Sequence, residues 1–298
     1  MSRDKRVGVV GIGVMGSAIA HRLLDVGYAI TVRDPEAAKV QALAARGASI
    51  AMSGQDLAEN VDVLITSLNT ADIVETVVFG PQGIADGGSA EKLLIDMSSI
   101  DPRATRRMSD RLRAQNGMGW VDAPLSGGAP AAAKGSLTLM LGGVGADVER
   151  AQSVLRDLAS NITHMGASGA GQTTKIINQV LCACNFLSVA EATRLALDAG
   201  IDASKIPAAL AGGRADSRIL QEFMPKMAAH DYTPTGRIDN MLKDLESAQA
   251  LALAQRTAMP LTSIAADLHR MFVAAGMGAE DSAAYMKIFD FGRGKSAT

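Results

Sequence analysis

The chain has 298 residues, a formal net charge of −2 and an isoelectric point near 6.1. This length suggests about two domains, and a hydrophobic content of 48% is enough to bury a sizeable core. The near-neutral charge excludes a bulk electrostatic attraction to nucleic acid or to an anionic membrane surface.

The N-terminal segment is charged and precedes an apolar run, as in a secretory signal peptide. Glycines at fixed spacing interrupt that run, so we do not expect a signal peptide. No charge-free apolar stretch of about 20 residues is present, so we expect no membrane span. The two cysteines, Cys182 and Cys184, are spaced for neither a zinc pair nor a C-x-x-C redox motif. We therefore expect a protein of the reducing cytoplasm without a metal site.

The first part of the chain alternates short apolar runs with segments of helical periodicity. Helical patterns include Val14–Val26, Pro35–Ala45 and Pro102–Ala114. The strand-like runs are VGVVG, AITVRD, VDVLITSL, KLLIDMS, GWVDAP, SLTLMLGG and NITHMG. Strands that alternate with helices predict a mainly parallel sheet with helices on both faces, an α/β domain of the Rossmann type.

The strand patterns stop at Gly169. Gly171–Ala199 is predicted to form one helix about 40 Å long, with Gly200 as its C-cap. The remaining predicted helices are Ser204–Ala211, Ser217–Ala229, Met241–Thr257, Leu261–Ala275 and Ser282–Phe291. The sequence therefore predicts an N-terminal domain over 1–166 and an all-α domain over 167–298, joined by the long helix.

A dinucleotide-binding motif follows the first predicted strand. Its residues are Gly11, Ile12, Gly13, Val14, Met15 and Gly16. A lone G-x-G-x-x-G is weak evidence, but here a strand precedes it, a helix follows it, and Asp34 ends the next strand. Such a motif places phosphates at a helix N-terminus, where backbone N–H groups and the helix dipole favour negative charge.

Asp34 predicts which dinucleotide binds. A carboxylate at this position accepts hydrogen bonds from the ribose hydroxyls and repels a 2′-phosphate. Pro35 and Glu36 follow where NADP sites usually have an arginine, so we expect NAD rather than NADP. Arg33 could point to either side of the sheet. Leu68, Asn69 and Ser98 follow later strands and are further candidates for the cofactor site, although each could belong to an ordinary turn.

Two later segments carry candidate chemistry. Ser126, Gly127 and Gly128 form a flexible turn whose N–H groups and hydroxyl could hold a carboxylate, although taken alone it could be a plain turn. Lys175 lies early in the long helix, and Asn178 and Gln179 share its face because they follow three and four residues later. Taken alone, a lysine in this pattern is more often a solvated surface residue.

Several segments together resemble the β-hydroxyacid dehydrogenase family. In chain order they are GIGVMG, DAPLSGG, GSLTLMLGG, GAGQTTKIINQ and Lys243-Asp244-Leu245. The resemblance covers almost the whole chain. Near the C-terminus, GRIDNMLKDLESA and MPLTSIAADL are most similar to the tartronate semialdehyde reductase branch.

The resemblance implies hydride transfer between NAD and a small β-hydroxy acid or its semialdehyde, of the tartronate semialdehyde or 3-hydroxyisobutyrate type. It implies that Lys175 is the general acid/base and that the Ser126–Gly128 turn holds the substrate carboxylate. Asn178 or Gln179 would orient the substrate and Lys175, and Lys243 would reach from the helical domain over the nicotinamide and the substrate. Many members have Asn where Gln179 stands, which leaves the roles of the two amides open. A homodimer or homotetramer is also implied.

Three alternatives remain open. An imine reductase of the same fold usually lacks the lysine at position 175, and a non-catalytic dinucleotide-binding module is expected to lose that lysine or the Ser126 turn. A 6-phosphogluconate dehydrogenase has a much longer helical part than this chain.

Two arginines, Arg214 and Arg218, flank Asp216 after a double glycine. They are candidates for binding a second anionic or polyhydroxy end of the substrate, or they form a solvated helix start.

Overall fold

The structure, a computed structural model, describes residues 5–290. The chain forms two compact units, which divide between Lys175 and Ile176. We call the part up to Lys175 unit 1 and the part from Ile176 unit 2.

Unit 1 is built on one sheet. Its strands are β1 (Arg6–Val10), β2 (Ala29–Arg33), β3 (Ser49–Ile50), β4 (Val63–Thr66), β5 (Leu93–Asp96), β6 (Gly119–Asp122), β7 (Leu125–Ser126), β8 (Leu137–Gly143) and β9 (Ala159–Gly166). The first six strands are parallel and follow the spatial order β3-β2-β1-β4-β5-β6. β8 is antiparallel to β6 and β7, and β9 pairs parallel to β8. This order is that of a dinucleotide-binding Rossmann fold.

Helices cover both faces of this sheet. They are α1 (Val14–Asp25), α2 (Ala37–Ala44), α3 (Gly54–Asn60), α4 (Ala71–Phe79), α5 (Pro102–Asn116), α6 (Gly128–Lys134) and α7 (Gly145–Leu155). Side chains alternate between the faces because successive strand residues point in opposite directions. In β4, Val63 and Ile65 join one apolar cluster and Leu64 joins the other. One apolar core therefore lies on each face of the sheet. The ends of the strands lie outside these cores and carry polar side chains.

A long helix, α8 (Ala170–Asp198), follows the sheet. The remaining helices of unit 2 are α9 (Ile206–Leu210), α10 (Arg218–Ala228), α11 (Ile238–Gln255) and α12 (Pro260–Ala274), with short 3-10 turns at Ala203–Lys205 and Ser282–Asp290. Phe291, the last residue of the final predicted helix, lies outside the described residues. Every regular element of unit 2 within the described range is helical, so the predicted fold class is confirmed.

The core of unit 2 is aromatic and aliphatic. Phe186 of α8 packs edge-on against Phe223 of α10, with ring centroids 4.6 Å apart. Phe272 stacks on Tyr285 at 4.9 Å, and His269 lies fully buried beside them. His269 uses Nδ1 to bond the carbonyl of Ala265 at 2.7 Å, and burial lowers its pKa. This histidine is therefore a neutral core residue.

The long helix is apolar enough to cross a membrane by length and composition, with mean hydropathy of 1.4 over its most apolar window, of which 33% is buried. This is weak evidence, because the core helix of a soluble protein passes the same test. Lys175 and Glu191 limit its charge-free stretch, so the sequence predicted no span. Ala183, Val189 and Ala190 of α8 contribute to the cores of unit 2.

Candidate active site

The glycine-rich turn joins β1 to α1. Gly11 has φ +88°, and its N–H donates to the carbonyl of Arg33 at 3.0 Å. A Cβ on Gly16 would overlap the carbonyl oxygen of Gly11, so only glycine lets α1 begin this close to the strand. Around Gly13, by contrast, nothing lies within 4 Å of a Cβ position, and the side chain of Val14 is 82% exposed. The open space at this helix N-terminus fits the pyrophosphate of a dinucleotide.

Asp34 follows β2 and holds this turn. Its Oδ2 accepts from the N–H of Ile12 at 2.7 Å, and its Oδ1 accepts from the N–H of Glu36 at 2.9 Å. A carboxylate offers about four lone-pair sites, so both oxygens can also accept from ribose hydroxyls. Arg33 donates through Nη1 to the backbone oxygen of Asp34 at 2.7 Å.

The loops after β1, β4 and β5 come together at one edge of the sheet. A Cβ on Gly11 would overlap the carbonyl oxygen of Ser67, which shows how closely the first two loops approach. The N–H of Leu68 donates to Oγ of Ser98 at 3.0 Å. Asn69, next to Leu68, is exposed. The structure thus brings Gly11, Leu68 and Ser98 to the point where the strand order reverses, where dinucleotides bind in such sheets.

Two buried carboxylates lie behind this edge, and sequence reasoning gave neither a role. Asp96 of β5 and Asp122 of β6 are paired in the parallel register. Oδ1 of Asp96 accepts from Thr66 Oγ1 at 2.9 Å and from the N–H of Ser98 at 3.1 Å. Burial raises the pKa of Asp96 to about 6, against these hydrogen bonds, and the charge of Asp122 adds to the rise. The signal available in the sequence was that both acids end successive predicted strands.

Asp122 binds the first turn of α8. Its Oδ1 accepts from the N–H of Gly169 at 2.8 Å, and its Oδ2 accepts from the N–H of Gln172 at 3.0 Å. Burial raises the pKa of Asp122, while the backbone donors act in the opposite direction. The side chain of Gln172 donates to the carbonyl of Ser98 at 2.8 Å and accepts from the N–H of Ile100 at 3.2 Å. The half-buried Lys175 follows in the next turn.

Unit 1 includes the start of α8, up to Lys175. The start of α8 is hydrogen-bonded to the ends of β5 and β6, so Lys175 belongs to the sheet unit. Asn178 and Gln179 belong to unit 2.

The Ser126 turn comes shortly after Asp122. Ser126 pairs with Thr138 at the end of the antiparallel ladder between β7 and β8. Gly127 and Gly128 have φ +118° and +69°, values that side-chain-bearing residues rarely adopt. Ser126 is only partly buried. The double glycine therefore turns the chain directly after a partly buried serine.

Within unit 2, the predicted polar residues form one network. Asn178 Nδ2 donates to Gln179 Oε1 at 2.9 Å, and Gln179 Nε2 donates to Asp244 Oδ2 at 2.6 Å. Nζ of Lys243 lies 3.6 Å from Asp244 Oδ1. Gln179 is thus the link between Asn178 on α8 and the Lys243-Asp244 pair on α11.

The two arginines singled out in the sequence have ordinary surroundings. The side chain of Arg218 is 81% exposed and pairs with Glu222 at 2.7 Å. Arg214 is exposed, and Asp216 between them caps the local turn through the N–H of Gly212 at 2.7 Å. Within unit 2 both side chains are thus exposed to solvent, and their binding of a second anionic or polyhydroxy end of the substrate stays a prediction.

Comparisons with known proteins cover nearly the whole chain. Residues 6–166 match the model of the NAD-binding domain of 6-phosphogluconate dehydrogenase, and residues 169–289 match the model described as NAD-binding of NADP-dependent 3-hydroxyisobutyrate dehydrogenase. The chain is 33% identical to 2-(hydroxymethyl)glutarate dehydrogenase of Eubacterium barkeri, over 97% of this chain and 96% of that protein. It is 32% identical to 2-hydroxy-3-oxopropionate reductase of Escherichia coli, over 96% and 97%.

Solved structures agree with these sequence matches. The structure of Mycobacterium tuberculosis 3-hydroxyisobutyrate dehydrogenase with L-serine superposes with a TM-score of 0.87 at 29% identity. That match covers 96% of this chain and 99% of the other. Both units of the chain therefore have counterparts in known dehydrogenases.

Proposed function

This chain belongs to the β-hydroxyacid dehydrogenase family and is an NAD(P)-dependent hydroxyacid dehydrogenase, and from that premise we propose that Lys175 is its proton-transfer residue. The proposed substrates are small β-hydroxy acids or their semialdehydes, of the tartronate semialdehyde/glycerate or 3-hydroxyisobutyrate type. The observation that carries the proposal is the attachment of the Lys175 helix to the ends of β5 and β6 through Asp122 and Gln172.

The cofactor site supports this reaction. The turn from Gly11 to Gly16 would hold the pyrophosphate, and Asp34 would accept hydrogen bonds from the adenosine ribose. The nicotinamide, when bound, accepts or donates the hydride. Leu68, Asn69 and Ser98 line the same edge of the sheet and are proposed to contact the cofactor from the loops after β4 and β5. The proposed role of Lys243 at the cofactor rests on the family resemblance.

Lys175 is proposed to exchange the proton of the substrate oxygen. In oxidation, the hydroxyl proton passes to Nζ as hydride leaves the carbon, and in reduction Nζ returns a proton to the carbonyl oxygen. A lysine suits this role because partial desolvation lowers an amine pKa toward the working pH. An arginine in its place would stay protonated and could not accept the proton.

The other polar residues are proposed to bind and orient the substrate. Ser126 and the Gly127-Gly128 backbone would hold the substrate carboxylate, which fixes the reacting carbon. Of the two amides left open by the sequence, we assign substrate orientation to Asn178. Both ends of the Gln179 amide are engaged, one with Asn178 and one with Asp244, so Gln179 is assigned to hold Asn178 in place.

The experiment is hydride exchange, followed as NADH absorbance, across a panel of these acids and semialdehydes with wild type and Lys175→Ala. We expect kcat on the best substrate to fall about 10²- to 10⁴-fold, the usual contribution of one general acid/base, with NADH affinity retained. Lys175→Arg should not restore activity. Lys205→Ala, at a highly exposed lysine of unit 2, is the matched control. Near-wild-type activity of Lys175→Ala would remove Lys175 from the mechanism.

We further propose that the protein works in the cytoplasm as a homodimer or homotetramer. Several large apolar side chains of α11 and α12 are exposed, including Leu253, Leu261 and Met271. A second copy of the chain that packs on these helices would bury them. Light scattering should therefore give a mass of at least two chains, and a monomer would contradict the proposal.

A further inference from the structure

We propose that Asp122 and Gln172 are positioning residues for proton transfer, which fix the first turn of α8 so that Lys175 is held in one place. The inference rests on the proposed role of Lys175. Neither side chain is assigned to substrate or cofactor. Both are buried within unit 1. Asp122 bonds the N–H groups of Gly169 and Gln172, whereas Gln172 lies in the first turn of α8 and bonds the backbone of Ser98 and Ile100.

The backbone is shaped around the carboxylate of Asp122. A Cβ on Gly142 would lie 2.6 Å from the carboxylate oxygens. A Cβ on Gly171 would lie 2.8 Å from Oδ2 and would overlap the carbonyl oxygen of Met140. Only glycines at these positions let β8 and the start of α8 close over one carboxylate. Asp122 therefore bonds the N–H groups of Gly169, directly before α8, and of Gln172 in its first turn, which leaves little freedom for the helix to shift.

Gln172 adds a second, independent attachment. Its amide donates to the carbonyl of Ser98 and accepts from the N–H of Ile100, so the side chain is held at both ends. Oγ of Ser98 in turn accepts from the N–H of Leu68. One chain of hydrogen bonds thus joins the helix of Lys175 to the loops proposed to contact the cofactor.

A helical turn transmits this placement to Lys175. Gln172 precedes Lys175 by three residues, so the two lie one above the other on the helix. A misplacement of about 1 Å at a reacting group can lower a rate about 10²-fold. We call Asp122 and Gln172, with their hydrogen bonds, the anchor of Lys175. Loosening the anchor should therefore lower kcat, although neither residue is proposed to touch the reacting atoms.

Two near-isosteric variants test the proposal. Asp122→Asn replaces one acceptor oxygen by an NH2 group that faces an N–H donor. Gln172→Glu, when ionised, brings a carboxylate oxygen against the carbonyl of Ser98. We expect each to lower kcat about 10- to 100-fold, with NADH Kd, measured by fluorescence titration, changed less than about twofold. The kcat of Gln172→Glu should recover relative to wild type at low pH, because a protonated glutamic acid can again donate to Ser98.

Each anchor variant is also combined with Lys175→Ala. If the anchor acts through the lysine, adding Asp122→Asn to Lys175→Ala lowers the residual rate by less than about twofold, because the effects of coupled residues are not additive. An equal loss of rate in both backgrounds would overturn the proposal. Near-wild-type kcat of Asp122→Asn and Gln172→Glu would overturn it as well. If instead Lys175→Ala itself keeps full activity, the proposed function fails first.

Asp147→Asn is the matched control. Asp147 is also a buried acid of unit 1 that closes against a glycine of β6, Gly119, and it pairs with Arg113 and Arg150. We expect Asp147→Asn to lower the Tm of the protein and to leave kcat unchanged. If Asp147→Asn lowers kcat as much as Asp122→Asn at equal loss of Tm, the anchor has only a general structural role.

Discussion

Asp34 and Asp122 are two versions of the same arrangement at different places in unit 1. Each ends or follows a parallel strand, and each carboxylate accepts from two backbone N–H groups. Asp34 stands beside an open turn, where the position of a Cβ on Gly13 has no neighbour within 4 Å. Asp122 is enclosed, because backbone approaches its carboxylate at Gly142 and Gly171.

The two carboxylates differ in what surrounds the lone pairs that the backbone N–H groups do not use. Asp34 is itself only 9% exposed, but the neighbouring positions of Gly13 and Val14 are open, so a ligand at this turn is proposed to use the remaining lone pairs of Asp34. Around Asp122 the protein itself fills the space, so the carboxylate serves the position of α8. Two carboxylates with the same hydrogen-bond pattern are therefore proposed to have different functions, and the surrounding glycines account for the difference.

The largest expected effect comes from adding a methyl group to Gly171, which lies against Asp122, compared with the same change at Gly13 in the open turn beside Asp34. Gly171→Ala should lower the free energy of unfolding by about 3 kcal/mol or more, since its Cβ would overlap backbone and approach Asp122. Gly13→Ala should leave stability within about 0.5 kcal/mol and weaken NADH binding instead. Urea unfolding and NADH titration measure the two quantities. Equal stability of the two variants would contradict the contrast between the enclosed and the open site.

Asp96, the neighbour of Asp122 in the sheet, should make stability depend on pH. Burial raises its pKa to about 6 in the folded protein from 3.8. Its contribution to stability is therefore fully present below about pH 4 and is lost as the pH rises through 6, up to about 3 kcal/mol. Asp96→Asn removes this titration. The stability of the variant relative to wild type should rise between pH 4 and pH 7, and urea unfolding at several pH values checks it. A constant difference would show that Asp96 does not titrate in this range.

The smallest expected effect concerns the open site. Asp34→Ser with Pro35→Arg should lower kcat/KM for NADH about 10- to 100-fold, since a hydrogen bond to a charged group contributes about 1.5–3 kcal/mol. The same change should raise the preference for NADPH, because the repulsion of a 2′-phosphate is replaced by attraction. Steady-state kinetics with both cofactors measure the ratio, and Pro35→Arg alone is the control. An unchanged ratio would mean that Asp34 does not select the cofactor.

The sequence predicted much of the fold because its determinants are local. The apolar runs from Val7 to Val10 and from Leu93 to Ile95 form β1 and β5, and the long apolar periodicity after Gly169 forms α8. The short strands β3 and β7 were not predicted, because two residues carry no periodicity. The start of α11 at Ile238, ahead of the predicted Met241, depends on a bond from the N–H of Ile238 to the carbonyl of Glu280.

The sequence by itself determined the dinucleotide turn and the residues next to it. Gly11, Gly16 and Asp34 lie within one strand–helix–strand segment, so their spacing is read directly from the chain. The anchor of Lys175 was decided only by the tertiary structure. Asp122 meets Gly169 and Gln172 across about 50 residues of sequence, and no local pattern marks such a pairing. Loops that are distant in sequence meet there because the parallel strands end at one edge of the sheet, so their contacts exist only once that sheet has formed.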